Sequence, residues 1–242
     1  MSKTAGIVII GNEVLSGKTQ DTNSYFLSRE LRSLGVEVRR ISVIPDEIEL
    51  IGKEVATFSR NFDLVFTTGG VGPTHDDVTM AGIAQGFGVK VIRHPELERR
   101  LRERHRENIN EARLRMAEVP EEAELVGEGF APVVKLRNVY IFPGIPKILH
   151  ERFEILKEGF RDTPFFLKVI YVKEGEGVIA SILNNLLTGF PGLLLGSYPV
   201  LDNPEYKVKV TLESKDQTYL NRAFQKLLST LPEGAIHRID GY

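Results

Sequence analysis

The chain has 242 residues, 42% of them hydrophobic and 26% charged, with a net charge of −2 and no cysteine. That length suffices for one or two domains with real cores, and the charge excludes a protein that grips nucleic acid through a broadly basic surface. The lack of cysteine excludes a disulfide framework, a thiolate metal site and a thiol nucleophile and suits the cytoplasm, and no apolar run reaches membrane-spanning length.

Residues 5–11, AGIVIIG, are too short for the apolar core of a signal peptide and read as a buried strand. In 22–34, Tyr25, Phe26, Leu27, Leu31 and Leu34 recur with a helical rhythm, and Gly35 suits the end of that helix. A strand follows over 36–44. A second helix opens at Pro45-Asp46 and runs to about Asn61, with Ile48, Ile51, Val55 and Phe58 on one face. Residues 63–68 form a third strand and 77–87 a third helix. This alternation predicts an α/β domain of three layers, a mostly parallel sheet covered on both faces. Ligands of such sheets lie at the carboxyl ends of the strands. Gly11-Asn12-Glu13, Pro45-Asp46 and the loop 69–77 all fall there.

Residues 95–118 read as one long charged helix, since Arg93 to Glu118 holds eight Arg against six Glu. Most of that charge is a solvated face of i,i+4 pairs; a basic edge touching an outer phosphate is the minority reading. Residues 133–146 hold a strand pair and then Phe142-Pro143-Gly144-Ile145-Pro146, where Pro146 suits the first turn of a helix. Asp162-Thr163-Pro164 marks a boundary between domains 1–163 and 165–242. Beyond it come strand 165–173, helix 177–190, strands 193–198 and 206–213, and helix 216–231, a small α+β layer.

The stretch DLVFTTGGVGPTHDDVT (63–79) carries the most chemistry. A strand ends in Thr67-Thr68, and Gly69, Gly70, Gly72, Pro73 and Thr74 form a loop before His75, Asp76, Asp77 and a helix. Glycines admit close backbone approach, and a helix start adds a positive end, so the loop suits phosphate. Two carboxylates repel bare phosphate, which makes a divalent cation at Asp76 and Asp77 the natural third party. The bland alternative is a strand–helix turn with one Asp as N-cap. His75 is a proton shuttle, a phosphate donor or a plain loop residue. Asp21 and Asn23 precede the first helix and either cap it or face the ligand. Gly11 and Gly17-Lys18-Thr19 miss the P-loop pattern by one residue, since five lie between the glycines. No G-x-G-x-x-G follows the first strand.

Together IIGNEVLSGKTQDTNSYFLSREL, VIPDEIE, TTGGVGPTHDDVT, ARLRMAEVPEEAELV and FPGIP resemble the MoaB/Mog-type molybdopterin-binding domain. Within it they are most similar to the subgroup at the N-terminus of competence/damage-inducible protein A (CinA) and of FAD synthase. Residues 165–242, with LLLGSYP, resemble the small KH-like domain of CinA proteins. The resemblance implies metal-dependent hydrolysis of a nucleotide diphosphate such as ADP-ribose or FAD, with Mg, Mn or Co and with potassium. The alternatives are molybdopterin adenylylation, or a module that binds a nucleotide or pterin without reacting it. In the hydrolase reading Asp76 and Asp77 hold the metal, and Asp46 or Glu13 orients the water. Thr68, Gly69, Gly70, Gly72, Pro73 and Thr74 bind phosphate. Gly11, Asn12, Asp21, Asn23, His75, Pro143 and Gly144 line the ligand. The family carries Asp where this chain has Asn12. The fold class leads us to expect a homo-oligomer.

Overall fold

In the computed structural model, which describes residues 2–127 and 132–241, the first apolar run becomes β1 (Thr4–Ile10), buried from Ala5 onward. There follow α1 (Asn12–Leu15), α2 (Asn23–Ser33), β2 (Glu37–Ile44), α3 (Ile48–Asn61), β3 (Leu64–Thr68) and α4 (Thr79–Phe87). Gly35 takes φ 81°, the left-handed conformation that ends a helix without strain. Then come β4 (Val91–Arg93), α5 (Pro95–His105), α6 (Glu111–Arg115), β5 (Glu118–Pro120), β6 (Glu124–Val126), β7 (Val133–Leu136), β8 (Val139–Phe142) and α7 (Pro146–Leu156).

The main sheet runs β2-β1-β3-β8-β7-β6. Its first four strands are parallel, and β7 and β6 are antiparallel. Side chains of β1 alternate between the two faces. Val8 and Ile10 join Ile51, Val55, Phe58 and Ile83 of α3 and α4 in one core. Ile7 and Ile9 join Leu27 and Leu31 of α2 and Leu149 and Phe153 of α7 in another. The three layers expected from the alternation are therefore present, with a mostly parallel sheet between them.

One correction concerns residues 95–118, which are not a single helix. Helix α5 stops at His105, a 3-10 turn spans Arg106–Asn108, and Arg106 takes φ 44°. Asn110 then caps α6, its Oδ1 accepting from the Arg113 amide at 2.9 Å. The chain has to reverse here, because β5 pairs antiparallel with β4. The dense Arg–Glu pattern hid that break. It does form the expected solvated ladder: Arg99 and Arg100 reach Glu96, and Arg102 reaches Glu98. The guanidinium groups of Arg99 and Arg100 hold the Glu96 carboxyl down at about 2.

The helix starts also shift. Helix α3 begins at Ile48 and α4 at Thr79, which leaves Asp46, Asp76 and Asp77 in loops.

The chain divides into two units, Met1–Asp162 and Thr163–Tyr242. The second contains β9 (Phe166–Val172), α8 (Glu176–Gly189), β10 (Leu194–Pro199), β11 (Val208–Ser214), α9 (Gln217–Thr230) and β12 (Ile236–Gly241). Its antiparallel sheet runs β10-β11-β9-β12, and both helices share one core with it. The closing strand β12 was not foreseen.

Candidate functional site

Four parallel strands bring four loops to one edge. Ile10 pairs with Ile44, Ile9 with Thr68, and Thr68 with Phe142. The residues that follow, Gly11, Asp46, the 69–77 loop and Pro143-Gly144, therefore leave the sheet side by side.

Gly69 starts the loop at φ 104°. A Cβ there would sit 2.0 Å from the Ile10 carbonyl, so no other residue fits. Its amide donates to the Phe142 carbonyl at 3.2 Å. Thr79, the first residue of α4, closes the loop: its amide donates to the Gly70 carbonyl and its Oγ1 to the Gly69 carbonyl, at 3.0 and 2.9 Å. Among the described residues, the amides of Gly70, Val71 and Gly72 have no protein acceptor. Successive amides without protein acceptors in a glycine loop could form an anion nest.

Carboxylates flank that nest on both sides. A Cβ at Gly70 would lie 3.3 Å from Asp46 Oδ1, and one at Gly72 would lie 2.7 Å from Asp77 Oδ2. Asp46 Oδ2 accepts the Asn12 amide at 2.8 Å. The first loop is thus tied to Asp46 by its backbone, whatever the side chain at position 12. Glu13 folds back over Gly11, where a Cβ would meet its Oε1 at 2.5 Å. Asp77 Oδ2 accepts from the Thr74 amide at 2.8 Å and also from Thr74 Oγ1. Asp77 therefore does not N-cap α4; Val78 holds the cap position without a side-chain bond. Helices α3 and α4, which start next to Asp46 and Asp77, pack glycine against glycine. A Cβ at Gly86 would sit 2.3 Å from the Gly52 carbonyl, and one at Gly52 would sit 2.7 Å from the Gly82 carbonyl. That close packing sets the two carboxylates beside one loop.

On the other side of the edge, Asn23 is buried and its Nδ2 donates to Thr68 Oγ1 at 3.0 Å and to the Gly144 carbonyl at 2.8 Å. Thr68 Oγ1 in turn donates to the Pro143 carbonyl at 3.0 Å. Asn23 Oδ1 is buried without a protein partner, an acceptor left for a donor from outside the chain. Asp21 turns to its own helix start, accepting from the amide and hydroxyl of Ser24.

Pro73, Thr74, His75 and Asp76 are exposed at the loop's tip. His75 Nδ1 lies 3.9 Å from Asp76 Oδ1. A hydrogen bond from Thr74, more than His75, holds the Asp76 carboxyl below the usual carboxylate value. Lys18 is exposed after a left-handed Gly17.

The sequence pairs Asp76 with Asp77 for a cation; Asp76 is exposed at the loop's tip, and Asp46 and Asp77 are the carboxylates beside the glycines. Asp46 and Asp77 each have one oxygen engaged by a backbone amide, which leaves the other to a metal. Among the described residues no three His, Cys, Asp or Glu side chains cluster as a complete metal site. Two carboxylates completed by water and ligand phosphate oxygens is the arrangement Mg favours.

Sequence reasoning missed the walls beside the loop. Val71, Met80, Arg115, Met116 and Glu118 line a cavity of about 200 Å³ with Gly70, Gly72 and Asp77. Only the 112–126 stretch that carried the resemblance pointed toward Arg115 and Met116.

The fold and the edge define the class: a three-layer α/β protein with a glycine loop, beside Asp46 and Asp77, at the carboxyl ends of parallel strands. The chain belongs to the family described as "probable molybdopterin binding domain", matched over residues 6–162. Residues 164–240 match the description "FAD synthase, middle domain". A protein from Archaeoglobus fulgidus is 34% identical over 228 residues, 92% of this chain and 97% of that one. A "probable FAD synthase" from Caenorhabditis elegans is 32% identical over 260 residues, 95% of this chain. The chain spans half the length of that relative. A crystal structure of a protein CinA with unknown function from Thermoplasma acidophilum covers 66% of this chain and 100% of its own, with 29% identity and a TM-score of 0.61. No helix of the described residues is long and apolar enough to cross a membrane.

Proposed function

We propose that this protein hydrolyses the pyrophosphate bond of a nucleotide diphosphate, of the ADP-ribose or FAD type, with the help of a divalent cation. The observation that carries the reading is the nest of Gly70, Val71 and Gly72 amides set between Asp46 and Asp77. Amides alone suit any anion; two carboxylates beside them suit an anion that arrives with a cation. A bound Mg, Mn or Co would neutralise charge on the pyrophosphate and on the leaving phosphate. The chain does the rest. The amides of Gly70, Val71 and Gly72 would hold the phosphate oxygens, and the free oxygens of Asp46 and Asp77 would hold the cation. Glu13, folded over Gly11, faces the same edge and takes a proton from the attacking water. The water oxygen bonds to one phosphorus, the bridging P–O bond breaks, and two monophosphates leave. The likeness to an FAD synthase along half of that enzyme's length supports a nucleotide ligand; the family description supports a pterin.

The test is a screen of purified protein against ADP-ribose, FAD, NADH and ATP with Mg, Mn or Co, reading released AMP. AMP release is expected, and Asp77→Asn is expected to lower turnover by two to three powers of ten, about 3–4 kcal/mol of transition-state stabilisation. Wild-type turnover in Asp77→Asn overturns the assignment. Pterin binding without any hydrolysis replaces it with the binding reading.

A further inference from the structure

We infer that a second cavity, beside the glycine loop, receives the flat heteroaromatic ring of the ligand whose phosphates occupy the nest; this rests on the pyrophosphate reading above. The cavity holds about 220 Å³ and is lined by Val71, Met80, Leu97, Leu101, Met116 and Ile148, with Arg100 and Arg104 on its polar side. Val71, Met80 and Met116 also line the cavity that contains Gly70, Gly72 and Asp77. The two cavities share a wall, and Val71 stands between the two glycines of the nest.

The chemistry of that wall selects a ring. Its volume exceeds the roughly 150 Å³ of a cavity that accepts benzene, so it has room for a larger ring system against its apolar side chains. Two methionines adapt their shape to a flat face. Planar guanidinium groups stack on aromatic rings. The break after α5 belongs to the same design. In one straight helix, Leu101 and Met116 would be separated by about 22 Å at 1.5 Å per residue. The turn at Arg106–Asn108 folds them onto one cavity.

Leu101→Trp places a bulky ring in the cavity from α5, and Ile148→Trp places one there from α7. Calorimetric titration of wild type and both variants, with Ca in place of Mg and AMP release checked to be absent, compares ADP-ribose, FAD, a pterin and inorganic pyrophosphate, with far-UV CD and melting temperature checking the fold. Each folded variant is expected to bind the ring-bearing ligand at least tenfold more weakly and pyrophosphate within about twofold of wild type. Loss for both ADP-ribose and FAD identifies adenine, loss for FAD alone flavin, and loss for the pterin alone a pterin. Unchanged ring-ligand affinity in the folded variants overturns the inference, as does an equal loss for pyrophosphate, or a wild type that binds ring ligands no tighter than pyrophosphate. Wild type that binds no pyrophosphate overturns the nest itself, a separate failure.

Discussion

Gly69 and Gly72 look alike in the sequence, and the structure gives each a different job. Gly69 is required by its backbone: at φ 104°, with the Ile10 carbonyl 2.0 Å from any Cβ, a side chain is excluded. Gly72 has no positive φ; a methyl there would press on Asp77 Oδ2 and Oδ1 at 2.7 and 3.1 Å. Asp77 cannot swing away freely while Thr74 holds it. Gly69→Ala should therefore destabilise the fold by about 2–4 kcal/mol, from strain plus overpacking. Gly72→Ala should leave stability within about 1 kcal/mol and lower kcat about tenfold. Urea unfolding and turnover on the substrate found in the screen separate the two. Equal stability losses would show that Gly72 is also structural. The types and spacing of these residues were legible; their separate duties depend on φ and on neighbours far along the chain.

The contact between α3 and α4 decides whether the site exists. Gly52, Gly82 and Gly86 let the two backbones touch, and the helices begin next to Asp46 and Asp77. A methyl at Gly86 must push α3 away. We expect Gly86→Ala to cost about 1–3 kcal/mol by overpacking, although alanine is the better helix former by about 0.8–1 kcal/mol. Gly177→Ala in α8 meets nothing within 4 Å and should stabilise slightly. Thermal or urea midpoints of the pair check this; a stabilised Gly86→Ala variant would show that the helices are not locked by that contact. Periodicity marked Leu27, Leu31, Ile51, Val55 and Phe58 as buried, but it also took in Tyr25 and Ile48, which are exposed. It failed over 95–118, where charge density outweighed the Asn110 cap signal.

The whole molecule is two hydrophobic systems. Val8, Ile51, Phe66 and Phe153 belong to cores made only of residues before Asp162, and Ile170, Leu212, Leu220 and Leu227 to a core made only of residues after it. Each unit should fold alone. Limited proteolysis is expected to cut near Asp162–Pro164. A fragment of 1–162 should keep a cooperative melt and the pyrophosphate affinity of the full chain. A fragment that melts without cooperativity would show that its cores depend on the second unit.

By itself the sequence determined the alternation of strands and helices and the glycine loop that follows the third strand. Those rest on local signals: period, capping residues and turn chemistry act within a few positions along the chain. Tertiary structure alone decided that Asp46 accepts from the Asn12 amide, that Asn23 spans Thr68 and Gly144, and that Leu101 and Met116 share a cavity. These pairs are separated by 15 to more than 100 positions in the chain, and only strand register and helix packing, which depend on every layer at once, bring them together.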